Sequence, residues 1–319
     1  MDEEPEAMQD SVPIIDLAAF GASDPAAAQS VVAAVGRACQ SLGFFVVTGH
    51  GVDASVTGQL YDQARAFFDR AEADKRQAPA EGTIEGGLSY VPLAQESLSG
   101  TTGVAAPGDY KESLNYGPRL AGGAWPAQPP QLRLAFLRYF AEMEGLARRL
   151  LDIFCCAVGL PPGYFEPEFV GHLSALRVIN YPEPDGPPLP GQMRAGAHTD
   201  YGFLTILRSE ASAGGLQVCR RDGAWIDVPA VEGAFVINIG DAFMRWTNDV
   251  WVSTPHRVAN PPPGSGAGSR RQSIPFFLNP NGAAVIRCLE QFCSADRPAR
   301  YPPVTYGDYI ALKTRQANA

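Results

Sequence analysis

His198 and Asp200 stand two residues apart in the stretch "AGAHTDYGFLTIL". A β-strand turns residues i and i+2 to one face, about 7 Å apart at the backbone, so an imidazole and a carboxylate placed there converge on one cation. A mononuclear site asks for a third ligand. Of the chain's four histidines, His256 in "VSTPHRVAN" has comparable strand-like surroundings, 58 residues further on. That interval has room for about four short strands, enough to cross a sandwich and return beside the first pair. Two imidazoles and one carboxylate on one face of a metal leave three positions open, the donor set of a non-haem Fe(II) centre that works with oxygen. His50, in the turn "TGHGV", and His172, ahead of the strands, have no acid at matching spacing and read as structural.

A second group lies 15 residues past His256, where "RRQSIPFF" alternates Arg271 and Ser273 onto one strand face. A guanidinium binds a carboxylate through two charge-assisted bonds, and a neighbouring hydroxyl adds a third donor. Inside a sandwich such a cation needs an anionic partner. No acid in the chain is an obvious one, so a ligand carboxylate is expected. The alternative for Arg271, as for Arg270, is an exposed loop position after "GSGAGSR".

These side chains need a framework, and the sequence changes character along its length. "SDPAAAQSVVAAVGRACQSLG" reads as a helix, with Ser23 or Asp24 as cap, Pro25 in the first turn, apolar residues at helical spacing and Gly43 as its end. "FFVVTGHGV" is a short buried strand closed by a glycine turn, and "TGQLYDQARAFFDRAEADKR" returns to an amphipathic helix. Residues 80–123 read as an irregular, glycine-rich loop region. A long helix runs from about Gln131 to Val158, with a packing stripe that includes Phe136, Tyr139, Met143 and Leu150. From Leu173 onward, short β-rich runs such as "ALRVINY", "FLTILRS" and "AFVINIGD" alternate with turns. Many short strands at this spacing point to an all-β sandwich or barrel covered on one side by helices. The expected organisation is mainly β with flanking helices in one compact unit. An N-terminal helical and strand region occupies 1–125, a long packing helix and connection 126–171, and the site-bearing core 172–319.

Composition narrows the function. Hydrophobic residues at 45% and charged residues at 18% give a globular balance. A net charge of -9 and the absence of a basic run argue against a nucleic-acid partner. No apolar stretch approaches the roughly 18 residues of a membrane span. "MDEEPEAMQD" lacks the pattern of a signal peptide, so a cytoplasmic protein is expected. The six cysteines form no C-x-x-C pair and are expected to be reduced thiols.

The ordered set "VPIIDL", "GFFVVTGHGV", "LRVINYP", "HTDYGFLTIL", "GGLQV", "VINIGD", "STPHRV" and "RQSIPFF" resembles the Fe(II)/2-oxoglutarate-dependent dioxygenases of the isopenicillin-N-synthase-like superfamily, over about Val12 to Tyr309. The resemblance implies a double-stranded β-helix, or jelly-roll, core flanked by helices. It implies that His198, Asp200 and His256 hold Fe(II) and that Arg271 and Ser273 grip the distal carboxylate of 2-oxoglutarate. It also implies that Asn180 and Tyr181 line the cosubstrate site. O2 is then the second cosubstrate, and succinate and CO2 leave as an unactivated C–H bond of a small molecule is oxidised. Arg177, Tyr201 and Phe277 are candidates for the substrate wall, or for the core. The phrases "GQMRAGAHTDYG" and "RWTNDVWVSTPHRV" also resemble fungal pyrimidine-methyl hydroxylases of this superfamily. Ser174 stands where those enzymes are expected to carry an amide side chain, which argues against a nucleobase. Two other readings stay open. One is a 2-oxoglutarate-independent oxidase of the isopenicillin N synthase type, with Gln316 in the cosubstrate position, and the other is a non-catalytic jelly-roll binding protein.

Overall fold

Asp24 sets the start of the first helix. Its carboxylate accepts from Ala26 N at 2.9 Å and Pro25 fits the first turn, so α1 runs over Pro25–Ser41. Gly43 follows at φ +68°, and a Cβ there would lie 2.0 Å from the Val252 carbonyl oxygen, so the entry into β2 (Phe44–Thr48) requires glycine. β1 (Ile14–Asp16) lies parallel to β2. Asp53 caps α2 (Ala54–Phe68) by accepting from Ser55 N at 2.8 Å, and a separate single turn, α3 (Glu72–Lys75), comes after it. The one helix expected over 57–76 is therefore two, and the first begins three residues early. The computed structural model describes residues 11–21, 24–76, 84–99, 106–210, 215–262, 264–265 and 268–317; Ser23, the alternative cap, lies outside them.

The segment expected to be irregular carries strands instead: β3 (Ile84–Glu85), β4 (Leu88–Val91), β5 (Glu112–Tyr116) and β6 (Ala121–Gly122). Leu88 and Tyr90 on β4, and Leu114 and Tyr116 on β5, are buried at the period of two that a half-covered sheet demands. α4 (Leu132–Ala157) follows, then the single turn α5 (Glu166–Phe169). The remaining strands are β7 (Ala175–Tyr181), β8 (Ala195–His198), β9 (Leu204–Ser209), β10 (Leu216–Cys219), β11 (Trp225–Asp227) and β12 (Phe235–Ile239). After α6 (Asp241–Trp246) come β13 (His256–Val258), β14 (Arg271–Leu278), β15 (Val285–Ile286), β16 (Val304–Thr305) and the terminal helix α7 (Tyr306–Ala317).

Two sheets result. The larger has eight strands in the order β1-β2-β12-β9-β14-β7-β5-β4, and the smaller has four in the order β11-β10-β13-β8. β2 shows how the layers are built, because all of Phe44 to Val47 is buried. Phe45 and Val47 join the core that α1, α2 and α4 press onto the outer face of the large sheet. Phe44 and Val46 turn inward to meet Leu216, Val218 and Val258 of the small sheet in a second, smaller core. The chemistry-bearing residues lie in this inter-sheet space. No helix among the described residues is long and apolar enough to cross a membrane.

Candidate active site

His198 closes β8 and His256 opens β13, and these two residues are direct partners across the antiparallel pair. Cross-strand pairing sets their rings 4.3 Å apart, centre to centre. β9 to β12 fill the interval between them, so the chain returns to its starting strand. Asp200 lies two residues past the end of β8, with Oδ1 3.8 Å from His198 Nε2 and 3.7 Å from His256 Nε2. All three candidate ligand atoms lie within 4.8 Å of one another.

Each ligand is oriented by a partner behind it. His198 Nδ1 is 2.8 Å from the Gly196 carbonyl and His256 Nδ1 is 3.1 Å from the Thr254 carbonyl. A carbonyl only accepts, so each Nδ1 carries the proton and each Nε2 keeps its lone pair for a cation. Oδ2 of Asp200 accepts from Thr205 Oγ1 at 2.5 Å and from Asn238 Nδ2 at 2.8 Å, leaving Oδ1 for the site. Thr205 and Asn238 are themselves paired across β9 and β12. Burial pushes the His198 imidazole down to about 3, with His256 adding to the shift and Asp200 opposing it. Burial works against ionisation of Asp200, yet the facing imidazoles and the Asn238 and Thr205 hydrogen bonds hold its carboxyl below the usual range. A neutral His198 and an ionised Asp200 are the protonation states that a divalent cation needs. The donor set fits Fe(II).

Arg271 opens β14 with only 2% of its surface exposed. It is the cross-strand partner of Tyr181, and its guanidinium sits 5.1 Å from the centre of that ring. Nη2 donates to Ser209 Oγ at 2.7 Å, whereas Nη1 is buried without a partner among the described residues. Ser273 pairs with Ser209 across β14 and β9. Arg271, Ser273, Tyr181 and the His-Asp-His cluster line one cavity of about 760 Å³. A buried guanidinium with an unmet donor calls for an acceptor. A dicarboxylate that reaches from Arg271 toward the cluster fits this cavity.

A 2-oxoglutarate-Fe(II) type oxidoreductase of Emericella nidulans is 31% identical over 96% of this chain and 90% of its own length. The chain belongs to the 2-oxoglutarate-Fe(II) oxygenase superfamily. Residues 173–280 match the description of that superfamily, and residues 12–133 match the N-terminal region described for a non-haem dioxygenase in morphine synthesis. The validamycin A dioxygenase of Streptomyces hygroscopicus subsp. limoneus is 31% identical over 97% of this chain and 87% of its own. The crystal structure of a full-length Neurospora crassa protein in complex with alpha-KG superposes at a TM-score of 0.83 and 28% identity, over 97% of each chain. This oxygenase therefore has a jelly-roll core, and Fe(II) and 2-oxoglutarate are its cofactors.

Membership does not place every expected residue at the site. Asn180 lies on the opposite face of β7 from Tyr181, outside the cavity, because successive strand residues alternate. There its Nδ2 donates to Glu112 Oε1 at 2.8 Å and its Oδ1 accepts from Arg270 Nε at 3.0 Å. Arg177, Tyr201 and Phe277 do line the cavity. Arg177 is already engaged, donating to both oxygens of Glu96 at 3.2 and 2.9 Å. Ser174 is 1% exposed and does not itself line the cavity, but it accepts at 3.1 Å from the backbone N of Asn279, which does. Gln316 is exposed on α7, a helix whose Tyr306, Ile310 and Thr314 are the cavity-lining residues. His50 binds the Gly233 carbonyl and His172 the Glu144 carboxylate. The sequence reading misses Thr205 and Asn238, which sit in strands it does identify. It also misses Glu96, Asp109 and Lys111, which fall in the stretch it treats as loop.

Proposed function

We propose that this oxygenase oxidises a C–H bond of a small molecule at a centre made by His198, Asp200 and His256, with Arg271, Ser273 and Tyr181 around the distal carboxylate of 2-oxoglutarate. The observation that carries this reading is that His198, Asp200 and His256 line the same cavity as Arg271, whose Nη1 has no partner among the described residues. Bound there, iron with 2-oxoglutarate and O2 supplies the oxidising power, and succinate and CO2 are the coproducts. The protein's own residues select, orient and shield. Asp200 and the two imidazoles present one donor atom each, so an arriving cation meets one preorganised face. Arg271 sets the direction of the cosubstrate by a two-pronged contact at its far end. Ile179, Leu216 and Val258 in the cavity wall keep bulk water away from the reacting carbon.

A small-molecule substrate agrees with the cavity volume. It agrees also with the Neurospora protein, which has been solved with thymine and with 5-formyluracil. The extents 1–125, 126–171 and 172–319 are read as parts of one unit, since β2 of the first is hydrogen-bonded to β12 of the last. In the oxidase alternative Gln316 fills the cosubstrate position, and its exposed place on α7 speaks against that. The test is substrate-dependent O2 uptake with and without 2-oxoglutarate, with succinate measured in parallel. Stoichiometric succinate is expected, and undiminished turnover in 2-oxoglutarate-free buffer overturns the reading.

A further inference from the structure

Three charged residues besides the metal cluster and Arg271 line the same cavity among the described residues: Glu96, Lys111 and Arg177. Lys111 Nζ lies 3.2 Å from Glu96 Oε2 and 3.1 Å from Asp109 Oδ2. The side chains of Lys111 and Asp109 are each 2% exposed, so this pair forms the back of the wall. Glu96 and Arg177, at 27% and 24%, form its accessible front. Two acids face two bases, and the local charge cancels.

The wall is also tied to the ligand strand. Asp109 Oδ1 accepts from Gly196 N at 2.9 Å, and the Gly196 carbonyl is the partner of His198 Nδ1. A group held at the Glu96–Arg177 front is thereby held at a fixed place relative to the cluster. Ser97, next to Glu96, adds a buried hydroxyl without a partner among the described residues.

What such a front recognises follows from its remaining hydrogen-bonding capacity. Arg177 gives one N–H from each Nη to Glu96, which leaves the second N–H of each and Nε–H as further donor capacity. The carboxylate oxygens of Glu96 keep further lone pairs. A donor thus stands beside an acceptor. A lone carboxylate brought here would face Glu96, and a lone ammonium would face Arg177 and Lys111. A zwitterion would have to strip water from two charges to compete with an ion pair already formed. A neutral group with its own donor beside its own acceptor meets the front without breaking it.

We propose, resting on the oxygenase reading above, that Glu96 and Arg177 determine specificity and that the substrate carries a neutral donor–acceptor edge, such as a lactam, cyclic imide or ureido group. Leu98, Phe277 and Ile310 in the same cavity then surround its apolar body.

The experiment uses the full chain loaded with Fe(II) and 2-oxoglutarate under anaerobic conditions. Perturbation of the absorption band of that complex is titrated with δ-valerolactam, glutarimide, pentanoate, pentylamine and norvaline. The lactam and imide are expected to bind at least about tenfold more tightly than the charged probes, the discrimination of roughly one buried hydrogen bond. In Glu96→Gln the front becomes positive, and preference is expected to move to pentanoate by about tenfold or more. Equal or tighter binding of any charged probe by the wild type overturns the proposal, as does absence of a response to both neutral probes at about tenfold the concentration that saturates 2-oxoglutarate. If Glu96→Gln does not fold, the wild-type series decides alone. Failure of the band to form at all would instead sink the oxygenase reading of the site, so the two failures are distinguishable.

Discussion

Asp200 offers one oxygen to the site because the other is held by Thr205 and Asn238. Asn238→Ala should therefore leave all three ligands in place while letting the carboxylate rotate. Iron affinity is expected to fall by about 10- to 100-fold, the usual effect of losing such a supporting contact. His256→Ala should abolish stoichiometric iron binding, since the cation then meets two donors. Metal content after dialysis against a competing chelator, with circular dichroism to verify folding, checks both; full iron occupancy in His256→Ala would remove it from the ligand set. Arg271→Leu separates the two ends of the cosubstrate. Loss of a buried charge-assisted contact of about 2 kcal/mol or more predicts a fall in 2-oxoglutarate affinity of roughly thirty-fold. Iron binding should persist, and an unchanged 2-oxoglutarate dissociation constant would place the distal carboxylate elsewhere. At this scale the sequence was informative for His198, Asp200 and His256, which the fold gathers into one cluster, although Asp200 reaches it from beyond the end of β8 and not from a strand; Arg271 and Ser273 line the same cavity. The sequence was silent on Thr205 and Asn238, whose types are common and whose role arises only from their pairing across two strands.

The elements that carry these residues differ in how much their own sequence dictates them. α1 is locally determined, with an Asp24 cap, a helical apolar stripe and a glycine end. Replacing Asp24 with Ala should cost about 1 kcal/mol, the usual value of a cap. Gly43→Ala should cost more, about 2 kcal/mol or above, because it adds a side chain at positive φ and drives it onto the Val252 carbonyl. Urea unfolding measures both, and a Gly43→Ala loss no larger than that of Asp24→Ala would show that the β2 entry relaxes freely. β4 and β5 stand at the other extreme. Their alternation of Leu88 and Tyr90, and of Leu114 and Tyr116, spans too few residues to stand out among glycines and prolines. They become strands because β7 offers an edge to pair with. The strand period also explains Asn180: family likeness brings it next to Tyr181 in sequence, and alternation sends it to the other face.

At the scale of the whole molecule, one polar network joins both sheets. Arg177 belongs to β7 of the large sheet, Gly196 to β8 of the small one, and Glu96, Asp109 and Lys111 connect them. Of the five residues only Arg177 was singled out by the sequence, and the network itself was not legible there, because its members come from segments up to 100 positions apart and meet only after both sheets close. The network predicts a pH dependence with a definite sign. Burial alone would raise the Glu96 carboxyl, but Arg177 and Lys111 draw it down to about 2. The unfolded chain holds it near its ordinary value of 4.5. The folded state thus binds the proton more weakly, so the contribution is complete above the unfolded value and is lost as pH falls from about 4.5 toward 2. Its size is on the order of 3 kcal/mol at the usual 1.4 kcal/mol per pK unit. Glu96→Gln should flatten the acid limb of stability in that window relative to the wild type, measured on iron-free protein. The buried cluster at His198 and Asp200 titrates in both forms and so drops out of the difference. Parallel acid limbs would mean that Arg177 and Lys111 do not hold Glu96 ionised against its burial, and would also withdraw the balanced front on which the proposed substrate edge depends.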